Sequence, residues 1–186
     1  GSSEQVLTDV SFKAEPGSTL AIIGGTGAGK STILKLIERF YDVDSGAVLV
    51  NGCDIRQLSQ ASLRATLGYV PQKSYLFSGT IDTNVAYGCE SMPEIQVEEA
   101  LALAQASQFV SEKPEGAFQP IFQGGTNVSG GQRQRLCIAR ALAKEAQGYL
   151  FDDSFSALDY KTDAALRQRL ATELPQATKI IVAQRI

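Results

Sequence analysis

The chain has 186 residues, 44% hydrophobic and 20% charged, with a net charge of −3 and a pI near 5.1. This is the make-up of one globular domain, or a domain with a subdomain, and the acidic balance argues against a broad nucleic-acid surface. Histidine is absent and the three cysteines, Cys53, Cys89 and Cys137, stand far apart, which excludes histidine general bases, Ser-His-Asp triads and a His/Cys metal centre. No apolar run approaches the ~18 residues of a membrane span, no secretory leader is read, and the cysteines read as reduced thiols of a cytosolic compartment.

In chain order, Val6, Val10 and Phe12 alternate in part, and Pro16-Gly17 marks a turn before the apolar run Ser18–Ile23. An antiparallel hairpin is expected there. The stretch Gly24-Gly25-Thr26-Gly27-Ala28-Gly29-Lys30-Ser31 follows. It matches the phosphate-binding P-loop, with a strand before it and, after it, a helix with Ile33, Ile37 and Phe40 at helical spacing. Glycines let the backbone aim its N–H groups at phosphate oxygens, and the helix start adds partial positive charge. Lys30 is the candidate for the β- and γ-phosphates, and the Ser31 hydroxyl for Mg²⁺. Thr32 completes the phosphate-binding stretch.

Ala47–Val50 reads as a strand and Asn51-Gly52 as a hairpin turn. Ser62–Thr66 is a short helix candidate, and Leu67–Val70 a strand stopped by Pro71, with Gln72 opening the next loop. From about Ile81 to Ala143 the pattern is helical: Glu94–Ala106, a shorter piece at Phe109–Glu112, then a helix from Gly130 to about Lys144 with Ser129 as N-cap. Tyr149-Leu150-Phe151-Asp152 is a strand ending in a carboxylate, as the Walker B role requires. Gln147-Gly148 before it makes that strand short for a fully buried one. Lys161–Leu174 is an amphipathic helix and Thr178–Val182 a β-branched strand. Strands alternating with helices imply an α/β fold: a P-loop core with a parallel sheet, an N-terminal antiparallel β subdomain, and a helical subdomain inserted at roughly 80–145 of a domain spanning 1–186.

Val128-Ser129-Gly130-Gly131-Gln132 leaves bare N–H groups at a helix start, which by itself is either a plain N-cap or an anion site. Taken together, Gly24–Ser31, Gln72, Ser129-Gly130-Gly131-Gln132, Asp152 and Ser156-Ala157-Leu158-Asp159 resemble the nucleotide-binding domain of an ABC transporter across nearly the whole chain. Tyr75–Ile81 resembles the exporter branch, in the stretch that faces the membrane domain's coupling helices. The resemblance implies ATP and Mg²⁺ as ligands, with Ser31, Gln72 and Asp152 at the metal. It implies a head-to-tail dimer in which Ser129–Gln132 contact the γ-phosphate held by the other subunit, and no nucleic-acid partner. It also implies a domain at the cytoplasmic face of a membrane, cut from a longer polypeptide.

Three positions depart from that pattern. Asp153 stands where exporters usually carry the glutamate that polarises the attacking water, and Gln184 stands where a switch histidine is expected. No aromatic precedes Phe12 to stack on adenine. Asp153 and Gln184 are the candidate catalytic residues, and together they resemble the degenerate half of heterodimeric exporters, with tolerated variation in an active enzyme as the alternative. A module that binds nucleotide as a clamp and a soluble ABC-type ATPase working on DNA or ribosomes are the rival functions. Against the latter stand the acidic pI and the exporter-like stretch Leu76–Ile81.

Overall fold

The computed structural model of the chain describes residues 6–89 and 91–184. In chain order its elements are β1 (Thr19–Ile23), α1 (Lys30–Ile37), β2 (Leu49–Val50), β3 (Cys53–Asp54), α2 (Gln60–Ala65), β4 (Leu67–Val70), β5 (Gly79–Thr80) and α3 (Ile81–Val85). There follow α4 (Glu94–Leu103), α5 (Ser107–Ser111), β6 (Pro120–Ile121), α6 (Gly130–Leu142), β7 (Gly148–Asp152), α7 (Tyr160–Glu173) and β8 (Thr178–Ala183).

The strands β1, β8, β7 and β4 lie side by side in that order, all parallel. Parallel neighbours cannot be joined by a tight turn, so helices carry every crossover and cover the sheet. β7 lies between β8 and β4 and all five of its residues are buried. Its side chains divide with a period of two. Leu150 joins Leu34 and Ile37 of α1 with Ile180 and Val182 on one face. Tyr149 and Phe151 join Leu136, Leu166 and Ile181 on the other. The expected short strand gains Gly148, which pairs with Leu67 and allows it close: a Cβ there would lie 3.2 Å from Leu67 Cδ2. The expected α/β architecture with a parallel sheet is therefore present, and α6 begins at the expected Ser129 cap.

Four expectations need correction. Val6–Phe12 forms no strand, and among the described residues β1 pairs only with β8, in parallel. Val6, Val10 and Phe12 are 60%, 49% and 46% exposed, so their alternation meets no surface that would cover it. The antiparallel strands of this region are β2 and β3, shorter than expected and joined at Asn51-Gly52. Both turn residues have positive φ, 51° and 78°, the signature of the hairpin turn that matches strand twist. Phe40 lies beyond α1 and is exposed, because Arg39 takes a φ of 54° and ends the helix before it. Finally, the stretch Ile81–Ala143 is not wholly helical: Pro120-Ile121 pairs with Gly79-Thr80 as a two-stranded ribbon. Pro120 has no N–H to give, which suits it to such an edge.

Gly68 in β4 tests the packing. A Cβ there would lie 2.6 Å from Tyr149 Cδ1 and 2.9 Å from the Ala141 carbonyl oxygen. The Tyr149 ring cannot retreat, since its hydroxyl accepts the buried Ala146 N–H at 3.0 Å. Gly68→Ala is expected to cost about 1–3 kcal/mol, read as a lower midpoint in denaturant unfolding.

Candidate functional site

In an open parallel sheet, chemistry collects where the strands end. β1 runs into Gly24, β4 into Pro71-Gln72, β7 ends on Asp152 with Asp153 next, and β8 ends just before Gln184. Residues this far apart in the chain therefore share one opening, a cavity of about 230 Å³ lined by Thr26–Thr32, Gln72, Asp152, Asp153 and Gln184, together with Val6 and Val182.

The loop turns through Gly27 and Gly29, with φ of 82° and 79°, a region glycine enters without strain. Gly29 is the N-cap of α1 and gives no side chain to the first amides of the helix. Those N–H groups remain donors for an anion at the positive end of the helix. A Cβ on Gly29 would also lie 2.8 Å from Leu7 Cδ2 and 3.2 Å from the Val6 carbonyl oxygen, so that Leu7 would have to give way. Lys30 Nζ donates to the carbonyl oxygens of Gly24 and Gly25, at 2.7 Å each, so the ammonium is folded over its own loop.

Ser31 donates its hydroxyl to Asp152 Oδ1 at 2.7 Å, across 121 positions of sequence. Asp152 is only 3% exposed. Its other oxygen, Oδ2, faces the Tyr69 hydroxyl at 3.4 Å. Burial, reinforced by the Asp152 charge, pushes the Tyr69 phenol well above its ordinary value, so that it stays protonated. A serine hydroxyl, a carboxylate and the Gln72 amide are hard oxygen donors, the set Mg²⁺ takes alongside phosphate oxygens. The residues present fit that cation.

Asp153 adopts a φ of 49°, and its N–H donates to the Val182 carbonyl at 2.9 Å. That turn lays its side chain against Gln184, whose Nε2 donates to Asp153 Oδ2 at 3.2 Å. The two residues singled out as departures thus touch each other.

Ser129, Gly130, Gly131 and Gln132 stand apart and do not line this cavity. They form the first turn of α6. Ser129 Oγ accepts the Gln132 N–H at 3.2 Å, and Gln132 Oε1 accepts the Ser129 N–H at 3.2 Å, a reciprocal capping box. Ser129 and Gly130 are exposed. The turn is close to the Ser156–Asp159 loop, for a Cβ on Gly131 would lie 3.4 Å from the Ala157 carbonyl oxygen. Asp159 caps α7, accepting from Thr162 N at 3.0 Å and Thr162 Oγ1 at 2.7 Å. These bonds hold its carboxyl below the usual carboxylate range. Sequence reasoning missed Tyr69, Val6 and Val182. Tyr69 was detectable only through the pairing register, which no motif carries.

A sequence profile described as "ABC transporter" matches residues 7–156. An uncharacterised ABC transporter ATP-binding protein of Mycobacterium tuberculosis is 49% identical over all of this chain, which spans 32% of that protein. The ATP-dependent lipid A-core flippase of Albidiferax ferrireducens is 41% identical, again over the full chain and 32% of its own length. Human ATP-binding cassette sub-family B member 6 is 42% identical over 98% of the chain and 22% of its length. Among solved structures, a bacterial Atm1-family ABC exporter with ATP bound superimposes with a TM-score of 0.94 at 40% identity, covering 98% of this chain and 32% of the exporter's. The chain therefore spans about a third or less of the relatives it matches.

Asp152→Asn keeps the side-chain shape and removes its charge. Binding of ATP in EDTA is expected to stay unchanged, while the gain on adding Mg²⁺ falls at least about tenfold, measured by nucleotide titration with and without the cation.

Proposed function

The chain belongs to the ABC transporter family, and on that premise we propose that it binds Mg-ATP at the strand-end cavity and couples this binding to transport across a membrane. The Ser31–Asp152 contact of 2.7 Å carries the reading. It joins the P-loop to the end of β7 through the two groups a nucleotide-bound cation needs. Lys30 leaves the carbonyls of Gly24 and Gly25 for the β- and γ-phosphates, and the uncapped amides of α1 hold phosphate oxygens. Mg²⁺, held by Ser31 and Asp152 with Gln72, would neutralise charge on the phosphates.

Hydrolysis at this site is weak. Asp153 orients the attacking water and Gln184 donates to the γ-phosphate, but each is poorly suited to the task. Asp153 is one methylene shorter than glutamate, and a displacement of about 1 Å can cost ~10²-fold in rate. Gln184 carries no charge, and its Nε2 is engaged by Asp153. The exposed first turn of α6, with Ser129 outside the chain's own cavity, serves the nucleotide of a second domain in a head-to-tail pair, with a non-identical partner carrying the stronger site. Tyr75, Phe77 and Tyr87 form an exposed aromatic group, with Phe77 and Tyr87 stacked at 4.3 Å. This group receives the membrane domain, at the cytoplasmic face. No helix among the described residues is long and apolar enough to cross a membrane.

The Asp153–Gln184 pair also favours a second reading, in which the domain clamps nucleotide without hydrolysing it. Single-turnover measurement on the mixed dimer separates the two. In the dimer, Asp153→Glu with Gln184→His is expected to raise ATP turnover by about 10²-fold. Turnover by the unmodified protein at ordinary transporter rates would sink the weak-site reading.

A further inference from the structure

We propose that Tyr69 is a positioning residue for the cation site, tuning it toward a small cation by occupying one oxygen of Asp152. The inference rests on the reading of the cavity as a Mg-ATP site.

Strand register sets the geometry. Tyr69 pairs with Leu150 across β4 and β7, and Asp152, two residues further along, points to the same face. The two lie on one face of neighbouring parallel strands, offset by two residues, a gap that the tyrosine side chain spans. The ring is held from behind by Phe40, at 6.2 Å between centroids and 58° between planes, with the Arg64 guanidinium 5.0 Å from the far ring. From there the hydroxyl faces Oδ2 at 3.4 Å while Ser31 takes Oδ1 at 2.7 Å. The first is long for an O–H···O pair, yet Asp152 is the one hydrogen-bond partner of that hydroxyl among the described residues.

The two oxygens of one buried carboxylate therefore have separate assignments. Ser31 marks Oδ1 as the phosphate-side oxygen, and Tyr69 keeps Oδ2 turned toward β4. A carboxylate held at both oxygens resists rotation and offers a cation one oxygen. That suits Mg²⁺, which demands a strict octahedron, and disfavours Ca²⁺, which readily takes both oxygens of a carboxylate. Outer partners of this kind typically change metal affinity by about 10–100-fold when removed. Gln72 is exposed and lines the same cavity from the loop after β4, whereas Tyr69 does not line it and acts only through Asp152.

The test uses the full chain with ATP, titrated in EDTA, in Mg²⁺ and in Ca²⁺, for the unmodified protein and for Tyr69→Phe, which keeps the ring against Phe40. Mg²⁺-supported binding is expected to weaken about tenfold, Ca²⁺-supported binding to weaken less, and cation-free binding to hold. Equal loss in all three conditions, as from a folding defect, overturns the proposal, and so does no change in the Mg²⁺-to-Ca²⁺ ratio. If the unmodified chain binds no ATP in any condition, the nucleotide reading itself has failed, which is a separate result.

Discussion

Everything in this molecule depends on β7 being flanked on both sides by parallel strands. Parallel pairing makes the strands finish on one edge, and helices covering both faces leave that edge as the place where loops gather. The same arrangement buries β7 completely and delivers Asp152 to the edge with its charge almost hidden from water. A buried carboxylate is costly unless its oxygens are satisfied. Ser31 and Tyr69 satisfy them, one from α1 and one from β4. The carboxylate thus ties the P-loop helix and two strands together while remaining suited to a cation.

The site is built in two strata. Around Lys30, Ser31 and Asp152 the side chains bond to the loop and to one another, while the first amides of α1 stay open. One layer outward, Asp153 and Gln184 share one hydrogen bond. That bond uses one carboxylate oxygen of Asp153 and one amide hydrogen of Gln184, and among the described residues it leaves the other oxygen and the second hydrogen free. The two departures from the family pattern therefore touch each other and, among the described residues, make no hydrogen bond to Lys30, Ser31 or Asp152.

Much of this was legible in the sequence where chemistry is contiguous. Eight consecutive residues specify the P-loop, and Ser129 with Gln132 three positions on specify a capped helix. Tyr149–Asp152 announces a strand ending in a carboxylate. Illegible features were those depending on partners distant in sequence. Alternation in Val6–Phe12 shows which side chains would share a face and says nothing of whether a surface exists to cover it. Tyr69 meets Asp152 only because β4 and β7 adopt one register out of several that a parallel pair allows. The ribbon at Pro120-Ile121 is two residues long, too short to leave a period. Phe40 has helical spacing, yet the backbone had already turned at Arg39.

The cap of α6 has one more implication. Ser129 accepts one N–H with its oxygen and keeps its hydroxyl hydrogen; Gln132 spends its carbonyl on the cap and keeps its amide hydrogens. The glycines between them add only backbone N–H groups, and the first turn holds no acidic residue. Capping takes one lone pair of each side-chain oxygen at this end and leaves every side-chain hydrogen free. The surface it turns outward is richer in donors than in acceptors and so favours groups with lone pairs to share. Because no group in it titrates near neutrality, that preference is indifferent to pH.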